Sequence, residues 1–144
     1  MPKMSEGCPL FSTEMGITPK EINSCVNVVS SEVAYNGGDA QAIATIPAGS
    51  LILDVICNVT EAFDGDGATL NIGDSGDDAD VDLFLASTDI TPAQKGISRS
   101  SGTEAVAAKG YICATDIIVT ATVTAGTSAS KGKATVYVIC AMSL

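Results

Sequence analysis

Residues 51–60 read LILDVICNVT, and how they are read decides the fold. Leu51, Leu53, Val55, Cys57 and Val59 fall on one face of an extended chain, with Asp54, Asn58 and Thr60 on the other. Alternation of this kind is the period of a strand with one buried face. Pro47-Ala48-Gly49 bounds it upstream as a turn. Working outward, the same period returns in QAIATI (41–46), in ATLNIG (68–73) with Leu70 and Ile72, and twice near the end. DIIVTATVTA (116–125) aligns Ile117, Val119, Ala121 and Val123, and KATVYVICAM (133–142) aligns Ala134, Val136, Val138, Cys140 and Met142. The small-residue loop GTSASKG (126–132) joins these last two, which are expected to form a long hairpin. Phe84 and Leu85 are expected to anchor a short helical turn or strand between the halves. Six to eight strands with Gly-, Asp- and Ser-rich turns point to an all-β, antiparallel β-sandwich or jelly roll.

The N-terminal part reads differently. Residues 1–17 carry little pattern and are expected to be an arm. Thr18-Pro19-Lys20-Glu21 fits a capping box with proline at the first helical position. Ile22, Cys25, Val26 and Val29 follow at helical spacing, so a short helix over 19–29 is expected, against a competing strand at the β-branched CVNVV. YNGGD (35–39) is a turn that divides the chain into an arm, 1–38, and a sandwich domain, 39–144. The arm's apolar groups, Leu10, Phe11, Ile17, Ile22, Val26 and Val29, are the candidate contacts to other subunits.

Composition restricts the chemistry. The 144 residues include no histidine. Gly73-Asp74-Ser75-Gly76-Asp77 looks like the surroundings of a nucleophilic serine, but a serine hydroxyl needs an adjacent base, and no lysine lies between Lys20 and Lys95. No catalytic residue is assigned, and the chain is read as non-enzymatic. The net charge is −10, with thirteen acids and no base from Glu21 to Ile90, so nucleic acid is not an expected partner. Only 17% of residues are charged against 46% hydrophobic, and mean hydropathy is +0.33. That sparse charge coat predicts apolar surface buried against other chains.

Five cysteines fall at no zinc spacing. Cys57 and Cys140 take inward strand positions and are expected to be reduced core residues of a protein made in a cytosol. The N-terminus lacks the apolar run of a signal peptide, and no segment has the length to span a membrane. No cofactor is expected.

Eight aspartates crowd the interval from Asp64 to Asp89. Asp78, Asp80, Asp82 and Asp89 match the first, third, fifth and twelfth positions of an EF-hand loop. The sixth position is Leu83 where the turn wants glycine, and Asp89 is short for a bidentate last ligand. These four are weak metal candidates. The favoured reading is solvated turn acids that keep strand ends from pairing with other chains.

IPAGSLILDVICNVTEAFDGDGATLNIGDSGDDADVDLFLASTDITP (46–92), followed by DIIVTATVTAGTSASKGKATVYVIC (116–140), resembles small virion proteins of tailed bacteriophages, the head decoration or cement proteins of the capsid surface. The match covers about residues 43–142. The resemblance implies a non-enzymatic β subunit that oligomerises, often as a trimer, on the outer capsid surface with the major capsid protein as partner. Gly73–Asp77 then becomes a turn after a strand. The competing reading is a tail-fibre or receptor-binding β module, calcium-assisted, that contacts host glycans. Three Phe, three Tyr and no Trp leave it little aromatic surface for stacking on sugars.

Overall fold

A computed structural model describes residues 25–76, 79–102 and 110–142. Its strands are β1 (Cys25–Ala34), β2 (Gln41–Ile46), β3 (Leu51–Glu61), β4 (Thr69–Ser75), β5 (Gly96–Arg99), β6 (Tyr111–Ile112), β7 (Ile117–Thr124) and β8 (Lys133–Met142). They form two antiparallel sheets. The larger has the order β1-β8-β3-β5, with β6 also beside β3, and the smaller has the order β2-β7-β4. Successive strands from β1 to β4 therefore alternate between sheets, which is the interleaving of a jelly roll. The expected β-sandwich is the observed one.

The alternation read from the sequence becomes the core. Ile117, Val119, Ala121 and Val123 of β7 are buried, facing the buried Ala134, Val136, Val138 and Cys140 of β8. Leu70, Ile72, Phe84 and Leu85 complete the same cluster, and Leu85 bridges Ile72 at the free edge of β4. Each fully buried Val, Ile or Leu contributes about 1.5–3 kcal/mol over its exposed state.

Three expectations need correction. β7 and β8 are not a hairpin: β7 pairs β2 and β4, while β8 pairs β1 and β3. Both strands carry one apolar face, and placing them in opposite sheets buries each face against the other. The loop 125–132 crosses between the sheets and packs on the 63–68 turn. A Cβ on Gly126 (φ +81°) would meet the Asp66 carbonyl oxygen at 2.5 Å, and one on Gly132 (φ +144°) would meet the Phe63 ring at 2.5 Å.

The helix expected over 19–29 is a strand from Cys25 onward, and residues 19–24 lie outside the described set. β-Branched valines and ten residues of unbroken pairing with β8 outweigh the local capping signal. Residues 25–34 thus belong to the sandwich rather than to the arm that the 1–38 boundary assigned them. Finally, β3 changes phase at Leu53. A bulge between Ile52 and Asp54 buries Ile52 and leaves Leu53 40% exposed, although both Val55 and Cys57 keep their inward positions.

Candidate interaction surface

Directly opposed residues of antiparallel strands point to the same side of the sheet. The registers therefore give the outer face of the larger sheet row by row. One row runs Val26, Ala141, Leu51, Ile112, and the next runs Val28, Ile139, Asp54. Then come Ser30, Tyr137, Ile56, Arg99, then Glu32, Thr135, Asn58, Ile97, and lastly Ala34, Lys133, Glu61. Val26, Val28, Ile97 and Ile112 are 54–67% exposed. A sheet packed on one face normally puts polar residues on the other. Here the solvent face is largely apolar, about 14 Å wide along its first row at ~4.8 Å per strand.

The buried charge on this face is paired, while Glu32, Lys133 and Glu61 lie toward its other end. The Asp54 carboxylate is buried beneath Ser100–Gly102 and accepts five hydrogen bonds. Arg99 Nε and Nη2 donate to Oδ2 at 3.1 and 2.8 Å, and Ser100 Oγ and the Ser101 amide donate to Oδ1 at 2.8 and 3.1 Å. Ser100 Oγ in turn accepts from the Val55 amide at 2.9 Å, tying the segment to β3. Burial alone would raise the Asp54 carboxyl, but the Arg99, Ser100 and Ser101 hydrogen bonds hold it below its usual value.

The acidic stretch is engaged differently. Asp64 accepts from the Ser130 and Lys131 amides (2.8 and 3.0 Å) and from Ser130 Oγ (2.5 Å), clasping the crossing loop. Those bonds, the Ser130 hydroxyl first, hold its carboxyl down at about 2. Asp74 accepts from the Asp80 amide, Asp80 from the Asp82 amide, and Asp89 from the Ala86 amide. The hydrogen bond with Asp80 pushes the Asp82 carboxyl up, and partial burial and the Asp80 charge add to it. Among the described residues no group of three or more acids, cysteines or histidines is placed to hold a metal ion. Of the four metal candidates, Asp80, Asp82 and Asp89 sit in these turns and Asp78 lies outside the described residues.

The candidate contact residues divide. Leu10, Phe11, Ile17 and Ile22 lie outside the described residues. Val26 stands exposed on the outer face, as expected of a contact residue. Val29 does not, because the strand period turns it inward against the core, where helical spacing had grouped it with Val26. Sequence reading missed Val28, Ile97 and Ile112. Ile97 is a single apolar residue among polar neighbours and Ile112 belongs to a two-residue strand, and only their pairing with β3 makes them part of a surface. Cys57 and Cys140 are buried free thiols as expected, and burial raises the Cys57 thiol to about 12.

No protein-family model matches the sequence, and no curated protein matches it. Structures do. A chain in the cyanophage Pam1 capsid asymmetric unit aligns over 99% of this chain and 100% of its own, with a TM-score of 0.66 and 18% identity. One in the acid-stable capsid of Helicobacter pylori bacteriophage KHP30 covers 81% and 87%, with a TM-score of 0.61 and 17% identity. One in the capsid of Ralstonia phage GP4 covers 84% and 85%, with a TM-score of 0.57 and 17% identity. Identities this low establish likeness of fold, and the fold of this chain is one found in bacteriophage capsids.

Proposed function

We propose that this chain is a non-enzymatic virion structural protein that decorates and cements a bacteriophage capsid. It bridges subunits of the major capsid protein on the outer surface and works as a homo-oligomer, a trimer in the form the sequence resemblance implies. One observation carries the reading: a broad, largely apolar sheet face, its buried aspartate paired with Arg99, on a chain of net charge −10 that shares its fold with chains in phage capsids. Cementing calls for contact area across neighbouring subunits, and the apolar end of this face, with Asp54 already paired, can supply it. The first 24 residues, with Leu10, Phe11, Ile17 and Ile22, lead directly into the edge of that face and add a second attachment element.

The test is co-sedimentation with capsids assembled without the protein. The full chain should pellet with particles and raise their resistance to heat or chelator. A chain lacking residues 1–24 should keep its β circular dichroism and bind more weakly. Failure of the full chain to bind any capsid of its own phage overturns the proposal.

A further inference from the structure

We infer that the open edge of β1 pairs with the β1 of a second copy of this chain. Among the described residues, each edge of the sandwich is blunted except one. β2 is interrupted by a bulge between Ala42 and Ala44 and runs into Pro47. The edge of β4 is covered by residues 80–85, through Leu85 on Ile72 and Asp80 on Asp74. β5 and β6 have four and two residues. β1 has ten, with no bulge, no proline and no lysine, and among the described residues nothing pairs with its other side. Such an edge is a template for another strand unless a partner occupies it.

Backbone geometry says which groups are on offer. The Tyr35 amide donates to the Gly132 carbonyl, which extends the register of β1 on β8. Odd-numbered residues of β1 therefore bond β8, and Val26, Val28, Ser30 and Glu32 direct their N–H and C=O groups outward. The one partner certain to present a matching free edge, in equal amount, is a second copy. Its charge also fits. Glu32 is the only charged residue of β1, in a chain whose net −10 resists self-association elsewhere. Antiparallel pairing centred on Ser30 sets Glu32 opposite the second copy's Val28. The two Glu32 carboxylates then stand about 13 Å apart along the strand, beyond the ~8 Å screening length. It also joins the two outer faces across a seam in which Ser30 faces Ser30, Val28 faces Glu32 and Val26 faces Ala34. This twofold contact cannot close a trimer, so it links one oligomer to the next. It rests on the proposed function only in taking the chain to be an assembling subunit.

The experiment uses the full chain with Ser30→Pro, which removes an amide facing only the open edge, and Ser30→Lys, which sets like charges opposite each other. Sedimentation equilibrium should show self-association weakened roughly ten- to hundredfold in both variants, from two lost symmetric hydrogen bonds or the introduced repulsion. Circular dichroism should be unchanged, and if Ser30→Pro alone unfolds, Ser30→Lys decides. Hydrogen exchange adds a signature. The amides of Val26, Val28, Ser30 and Glu32 should be protected at high protein concentration and exposed on dilution, while those of Asn27, Val29 and Ser31 stay protected throughout. Unchanged association in Ser30→Lys overturns the inference. So does protection of the even-numbered amides at all dilutions, which would mean a strand of the same chain lies there. A wild type that stays monomeric, with the variants losing only capsid binding, would assign the edge to a capsid strand and overturn it as well. Association through β1 by a protein that binds no capsid would sustain the inference and defeat the proposed function instead.

Discussion

The two sheets bury nearly identical inner faces of Val, Ile, Leu and Ala, yet their outer faces differ. On the smaller sheet the outward row positions are Thr45, Ile118 and Ser75, then Ala42, Thr120 and Gly73, then Thr122 with Asn71 and Thr124 with Thr69. Apart from Ile118, Ala42 and Gly73 these are threonine, serine and asparagine side chains, the threonines combining a β-branched stem with a hydroxyl. On the larger sheet the equivalent positions hold Val26, Val28, Leu51, Ile56, Ile97, Ile112 and Ile139. Neither face carries much charge, so solubility does not explain the difference. A face of isoleucine where threonine would satisfy the same strand propensity is the face the proposed function would cover.

Replacing Ile97 and Ile112 by serine tests that contrast most directly, and we expect the largest effect from it. Both are about two-thirds exposed, so folding stability should change by no more than about 0.5 kcal/mol per site. If the face is buried in the assembly, each loses about 1.5–3 kcal/mol of apolar burial there, roughly ten- to hundredfold in capsid affinity. Thr122→Ser and Thr124→Ser on the smaller sheet should leave affinity unchanged. Equal losses from the two pairs would erase the distinction between the faces.

A middle-sized effect is expected from Asp54→Asn, which keeps the shape but removes the charge that organises Arg99, Ser100 and Ser101 on the outer face. Arg99 is 58% exposed and can return to water, so the loss should be about 1–3 kcal/mol, the range for a buried group left poorly paired. The sign with pH follows from linkage. Asp54 and Asp64 both titrate lower in the folded chain than in the unfolded one. Their contribution is complete above the unfolded value near 4 and is lost as pH falls through their lowered folded-state values, about 2 for Asp64. Thermal unfolding of the wild type should therefore show Tm dropping steeply below pH 4. Asp54→Asn should be less stable at pH 7 and show a shallower acid slope, and a parallel pH profile would mean the carboxylate is not what holds the segment.

How these features stood in the sequence is uneven. Period-two alternation reports which side chains turn inward, and for β4, β7 and β8 as far as Cys140 it named the core residues correctly. It carries no information about which strand lies beside which. KATVYVICAM after GTSASKG suits a hairpin or a crossing between sheets equally well. The decision rests on the packing of Gly126 and Gly132 against residues 63–66, some sixty residues away in sequence. The bulge at Leu53 was hidden for a similar reason. LILDV is apolar at both phases until Asp54, and it takes the 100–101 segment to make a buried aspartate tolerable. β1 was obscured by a capping box just upstream, a local signal set against a strand whose stability comes from β8. The interaction face was the least legible part, because Ile97 and Ile112 become neighbours of one surface only through β3.

The smallest effect, and the last contrast, concerns the acidic turns. Asp64 and the 74–89 group crowd the loops and strand ends, so a bound divalent ion there would be a third kind of region beside the two faces. The hydrogen bonding points the other way. Carboxylate oxygens of Asp74, Asp80 and Asp89 accept amides of their own turns, and those of Asp64 accept from Ser130 and Lys131 of the crossing loop. A calcium site wants six to eight oxygens converging on one point. Calcium at a hundred times its dissociation constant would add about 2.7 kcal/mol to stability, worth several degrees of Tm in a domain of this size. Chelation is therefore expected to leave Tm within about one degree of the untreated protein, as is addition of millimolar calcium. A fall of several degrees with chelator, restored by calcium, would show that the acids converge on an ion. Asp78 and its neighbours would then have to be redrawn as a binding loop rather than as solvated turns guarding the edge of β4.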